Sequence, residues 1–78
     1  MTLRIISAQE VLYDGEVTSV TLPGAKGSFT VLRNHASLVS TLTAGNICYV
    51  APDGTTAEHA VSGGLGDVDH NVISVCVY

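Results

Sequence analysis

Side chains able to carry covalent or metal chemistry are few and poorly spaced for it. His35, His59 and His70 with Cys48 and Cys76 supply every imidazole and thiol in the 78 residues. They make no Cys-x-x-Cys and no His-x-x-x-His pair, and the cysteines stand 28 positions apart, so zinc-ligand spacing is missing. His70 falls in a turn and reads as solvated. His59 falls in a strand, where it is expected to alternate outward beside Glu58. Ser62-Gly63-Gly64 places a hydroxyl among glycines, but a nucleophile elbow needs Gly-x-Ser-x-Gly on a strand–turn–helix corner. Pro23-Gly24-Ala25-Lys26-Gly27-Ser28 has the outline of a phosphate loop. That motif requires Lys directly before Ser or Thr and a helix after; here Gly27 intervenes and a strand-like run follows. The acidic residues sit mostly at turn signals and offer no evident acid–base pair. The expectation is a non-catalytic chain with no cofactor and no metal.

The elements that would hold these residues are short. Turn signals recur at Asp14-Gly15, Pro23-Gly24, Lys26-Gly27, Asn34, Gly45-Asn46, Pro52-Asp53-Gly54, Gly63-Gly64 and Asp69-His70-Asn71. Punctuation every 8–12 residues leaves no room for an ordinary helix and marks a sandwich or barrel of short strands. Between turns the polarity alternates with period two. Ile73, Val75 and Val77 share one face; so do Val20 and Leu22, and Phe29 and Val31. Val, Ile and Thr make up 23 residues, and branching at Cβ favours pleated backbone. The pattern predicts strands near 3–7, 10–13, 16–22, 28–32, 38–42, 46–51, 56–61, 64–68 and 72–77. Pro52-Asp53-Gly54 is expected to be the tip of a hairpin joining 46–51 and 56–61. The fold expected is all-β: one domain over residues 1–78, a two-layer antiparallel β-sandwich of about nine to ten short strands.

Charge narrows the partners. Three Lys and Arg against seven Asp and Glu give a net charge of −4, which leaves no basic cluster for phosphate backbones or anionic lipid. Only 13% of residues are charged, about half the usual share, while 46% are hydrophobic. A small domain buries roughly 60–65% of its unfolded surface, so much of its exterior must be Thr, Ser, Gly and aliphatic side chains. Such a surface suits a body covered by partners. No apolar run approaches the roughly 18–20 residues of a spanning helix. The segment Met1–Ile6 lacks signal-peptide architecture, so a reducing cytosol is expected, with both cysteines buried as free thiols.

Two families offer comparison. Biotinyl and lipoyl carrier domains are also small, acidic and all-β, with a modified Lys on a hairpin tip. Lys26, the only lysine, lies in a turn, but its neighbours Ala25 and Gly27 differ from the Met or Asp that those families place there. The stronger likeness runs along the whole chain. Gly15-Glu16-Val17-Thr18-Ser19-Val20-Thr21-Leu22-Pro23-Gly24 leads into Gly27-Ser28-Phe29-Thr30-Val31-Leu32, then Asn34-His35-Ala36, Leu42-Thr43-Ala44-Gly45 and Ala60-Val61-Ser62-Gly63-Gly64. This resembles the N-terminal β-sandwich domain of the epsilon subunit of the F-type ATP synthase. The central motif departs from that family at Arg33 and Ser37, where proline is common, and at Thr30, where glycine is. Without prolines the loop is expected to be less rigid.

The resemblance implies a rotor subunit of the central stalk that joins the gamma subunit to the membrane c-ring and couples proton flow to ATP synthesis. It implies peripheral attachment, through the complex, to the cytoplasmic face of a bacterial inner membrane. By the same correspondence Lys26, Gly27 and Ser28 with Arg33, Asn34 and Ala36 would face the c-ring, and His35, Thr41 and Thr43 would face gamma. Ser28 stands where the family commonly carries an acid, so that charge is missing here. His35 has an equally good alternative role in a hydrogen bond that orders its own loop. Gly24, Gly27, Gly63 and Gly64 read as turn-permitting residues. Family members usually continue into two C-terminal helices; with the sequence ending at Tyr78, a naturally short subunit lacking that inhibitory pair is expected.

Overall fold

The computed structural model describes all of residues 1–78 and contains nine strands and no helix. They are β1 (Thr2–Ile6), β2 (Val11–Glu16), β3 (Ser19–Leu22), β4 (Phe29–Leu32), β5 (Leu38–Leu42), β6 (Gly45–Val50), β7 (Thr56–Val61), β8 (Gly64–Asp69) and β9 (Val72–Val77). A five-stranded sheet in the order β2-β1-β9-β8-β5 stacks on a four-stranded sheet in the order β4-β3-β6-β7. The alternation read from the sequence sets which side chains meet between them. Leu3, Ile5, Ile73, Val75, Val68 and Leu42 from one sheet face Val20, Leu22, Val31, Ile47 and Tyr49 from the other, all buried. Each large aliphatic side chain so buried contributes about 1.5–3 kcal/mol, which is what holds the layers together.

Four sequence expectations change in detail. Most neighbours pair antiparallel, but β1 and β9 run parallel, with Leu3 opposite Ile73 and Ile5 opposite Val75. A parallel pair needs a long connection, and the whole chain between the two strands supplies it. Asp14-Gly15 is not a turn: Arg4 pairs with Asp14 and Leu3 with Gly15, so β2 runs on to Glu16 and the chain changes sheet at Val17-Thr18. A bulge between Ile5 and Ile6 also admits one extra residue, Leu12, on β2. His59 points inward with Ala57 and Val61, because Glu58 and Ala60 take the outer face of β7. Neither thiol is buried. Cys48 is half-buried on β6 and Cys76 is exposed on β9, both free. They share the outward phase of their strands, opposite Ile47 and Tyr49 and opposite Ile73 and Val75.

The hairpin expected at Pro52-Asp53-Gly54 joins β6 to β7. Asp53 accepts the Thr55 N–H at 2.9 Å, and that bond, with the Thr55 side chain behind it, holds the carboxyl below its ordinary range.

Candidate binding surface at the two ends of β4

Residues singled out from the sequence fall into two groups, separated by β4. Lys26, Gly27 and Ser28 lie in the β3–β4 loop. Its tight turn is closed by the Gly27 N–H donating to the Gly24 carbonyl at 3.0 Å, and Gly27 adopts a φ of 126°, which a side chain would strain. The loop is tied to the other sheet. Gly24 bridges to Leu42, the Ala25 N–H donates to the Thr41 carbonyl at 2.9 Å, and the Thr43 N–H donates to the Pro23 carbonyl at 2.8 Å. Thr41 and Thr43 therefore belong beside Lys26–Ser28. An open groove of about 350 Å³ lies between this loop and β5, lined by Lys26, Phe29, Val39, Ser40 and Thr41 among others.

Arg33, Asn34, His35 and Ala36 occupy the β4–β5 loop at the far end. Lys26–Ser28 and Arg33–Ala36, both expected from the resemblance to face the c-ring, stand at opposite ends of β4. The four residues of β4 separate them by about 13 Å at strand rise. Arg33 and Asn34 are the central pair of a turn closed by the His35 N–H donating to the Leu32 carbonyl at 3.1 Å. Asn34 has a φ of 64°, the left-handed value required at the third position of a type II turn. His35 Nδ1 lies 2.7 Å from the Ala36 carbonyl; a carbonyl only accepts, so Nδ1 carries the proton. The loop-ordering bond is thus made. Arg33, Asn34 and Ala36 are exposed and His35 is half-buried.

Residues outside the sequence-derived set secure this second loop. Its neighbour is the β8–β9 turn, where His70 and Asn71 both have positive φ, at 49° and 62°, as a two-residue type I′ hairpin demands. The Asn34 N–H donates to Asn71 Oδ1 at 2.6 Å, and Asn71 Nδ2 donates back to Asn34 Oδ1 at 3.2 Å. The Ser37 hydroxyl donates to Asp69 Oδ1 at 2.6 Å, and His70 Nδ1 lies 2.7 Å from the same oxygen. The Ser37 bond, and after it the His70 ring, hold the Asp69 carboxyl below its usual range. Side chains thus tie the loop down where the family's prolines are missing. Asp69-His70-Asn71 was visible as a turn, but its contact with Asn34 spans 37 positions and carries no local signal.

The outer face of the five-stranded sheet carries a row of neighbours, Val11, Ile6, Cys76, Leu65 and Thr41, with Val11 and Leu65 among the exposed large hydrophobics. A second row, Asp14, Arg4, Ser74, Asp67 and Val39, holds most of that face's charge. Every ion pair in the structure involves exposed groups on at least one side. No group of three or more His, Cys, Asp and Glu side chains converges as metal ligands would.

The family model for the β-sandwich domain of the ATP synthase delta/epsilon chain matches residues 1–78. The chain belongs to that family. It is 43% identical over 75 residues to an ATP synthase epsilon chain of Campylobacter jejuni subsp. doylei, covering 96% of this chain and 58% of that one. It therefore spans little more than half the length of the relative. Among solved structures it is similar to a chain of the Euglena gracilis mitochondrial ATP synthase, with a TM-score of 0.89 and 23% identity over 96% of this chain and 48% of that one. It is also similar to a chain of the Tetrahymena thermophila mitochondrial ATP synthase central stalk and c-ring, with a TM-score of 0.80 and 12% identity over 97% and 61%. At these identities the two structures speak for the shared sandwich alone. Membership in the epsilon family leaves the carrier-domain reading of Lys26 without support.

Proposed function

We propose that this sandwich is a non-catalytic module of the central stalk of an F-type ATP synthase, linking the gamma subunit to the c-ring so that proton-driven rotation reaches the catalytic head. The observation that carries this reading is the family match along the entire chain. The geometry supports it. A module that couples two bodies needs separated grips on a stiff core, and here two tied-down loops lie at opposite ends of β4, anchored to both sheets. Grips that resist slipping rely on packed apolar and hydrogen-bonded patches more than on screened surface ion pairs, and the sparsely charged exterior suits that.

We group the residues by the end of β4 they occupy, which moves Arg33, Asn34 and Ala36 from the c-ring to gamma and Thr41 and Thr43 from gamma to the c-ring. Lys26, Gly27 and Ser28, now with Thr41 and Thr43, form the c-ring face. Arg33, Asn34, His35 and Ala36 form the gamma face. The module sits peripherally, through the complex, on the cytoplasmic side of a bacterial inner membrane. Co-purification of the tagged chain from detergent-solubilised membranes tests this. Recovery with gamma and the c-ring is expected; recovery only as a free monomer contradicts the proposal.

A further inference from the structure

We infer that the β8–β9 turn is the positioning element of the Arg33–Ala36 loop, with Asn71 as its principal residue and Asp69 as its second. Asn34 and Asn71 both hold left-handed backbone, at φ 64° and 62°. Asparagine tolerates that conformation better than most residues, but glycine would meet it at lower cost. What glycine lacks is the side-chain amide, and here each amide is used. Asn71 Oδ1 accepts the N–H of Asn34, and Asn71 Nδ2 donates to Asn34 Oδ1, at 2.6 and 3.2 Å. The main-chain bond falls in the middle of the turn that presents Arg33 and the following His35.

Asp69 acts two residues earlier. Its Oδ1 accepts from Ser37, at the point where the loop enters β5, so both halves of the loop are gripped by one rigid two-residue hairpin. That hairpin is fixed in turn by β8 and β9, whose Val68, Ile73 and Val75 lie in the core. A path of bonded groups thus runs from the sandwich interior to the exposed face of Asn34 and Ala36. In this role they set the shape of the loop that meets the partner. The inference rests on the reading of that loop as a partner-facing surface.

Asn71→Gly is the discriminating variant, because glycine keeps the type I′ turn and removes only the amide. In the chain, the Asn34 amide proton is expected to exchange about tenfold faster, the scale of one lost intramolecular hydrogen bond. The amides of Ile73 and Val75 should keep their protection, whereas general destabilisation would move all three. Asn71→Asp retains the acceptor and should restore protection at Asn34. In the assembled complex, Asn71→Gly should reduce retention of the subunit. Unchanged exchange at Asn34 overturns the positioning role whether or not the loop touches a partner. Faster exchange with undiminished retention overturns the partner-facing reading on which the inference depends.

Discussion

The Tyr49 hydroxyl lies 3.2 Å from Nε2 of His59, and the two rings stack with centroids 5.8 Å apart. They are diagonal neighbours on the inner face of the β6–β7 hairpin, Tyr49 pairing directly with Ala57 and His59 with Ile47. On its other side Tyr49 meets Tyr13 from the opposite sheet at 4.3 Å. The cluster therefore joins the layers along the side away from β4 and β5. Tyr49→Phe should cost about 1 kcal/mol, the net worth of one hydrogen bond. In a domain of this size that lowers Tm by roughly 4–8 °C. Burial, and then the neighbouring Tyr13, push the Tyr49 phenol above its ordinary 10.0. Its contribution to stability is complete below pH 10 and is lost as pH rises through the folded-state value. Denaturant melts at pH 8 and 11 should show that loss in the wild type and less of it in Tyr49→Phe.

Carboxylates give the opposite sign. The Ser37 hydroxyl lowers Asp69, and the Thr2 hydroxyl, followed by the N-terminal ammonium, lowers Glu16. Groups so depressed stabilise the fold above their unfolded values, 3.8 and 4.5, and lose that contribution as pH falls through the folded ones. Stability between pH 5 and 2 should fall less steeply in Asp69→Asn than in the wild type, as read by chemical denaturation across that range.

Gly27 and Gly64 should separate strain from collision. A Cβ at Gly27 meets nothing within 4 Å, so Gly27→Ala costs only the backbone strain of its φ of 126°, about 1–3 kcal/mol. At Gly64 it would drive into the Cys76 carbonyl, on the neighbouring strand β9. Gly64→Ala should displace that strand and lower Tm well beyond the Gly27 variant in paired thermal melts.

Much of the sandwich could be read from the sequence, because a half-buried strand writes its phase into successive residues. Ile73, Val75 and Val77 declared the inner face of β9, and Pro52-Asp53-Gly54 declared the hairpin before β7. The face of His59 is hard to read because Ala57 and Ala60 leave the phase of β7 weakly marked, although an outward Glu58 already requires an inward His59. Non-local partners left no trace. Parallel pairing of β1 with β9 joins the two ends of the chain, and the Asn34–Asn71 exchange joins two turns. The split of the candidate surface was likewise hidden. Lys26–Ser28 and Arg33–Ala36 are close in sequence, yet β4 carries the chain from one end of the sandwich to the other between them.

Charge placed at the ends should disturb coupling before it disturbs folding. Ser28 and Ala36 are both exposed, so Ser28→Lys and Ala36→Lys should move stability by no more than about 0.5 kcal/mol. In membranes carrying the assembled synthase, each should reduce ATP made per proton moved. Equal losses of coupling and melting temperature would assign these loops a purely structural role.

The two-ended grip is tested most directly by photo-cross-linking in the assembled complex, with the probe placed at Lys26 or at Arg33, both exposed. The account predicts that the Lys26 probe captures the c-ring subunit and the Arg33 probe captures gamma. Capture of one and the same subunit from both positions, or of neither, would contradict it.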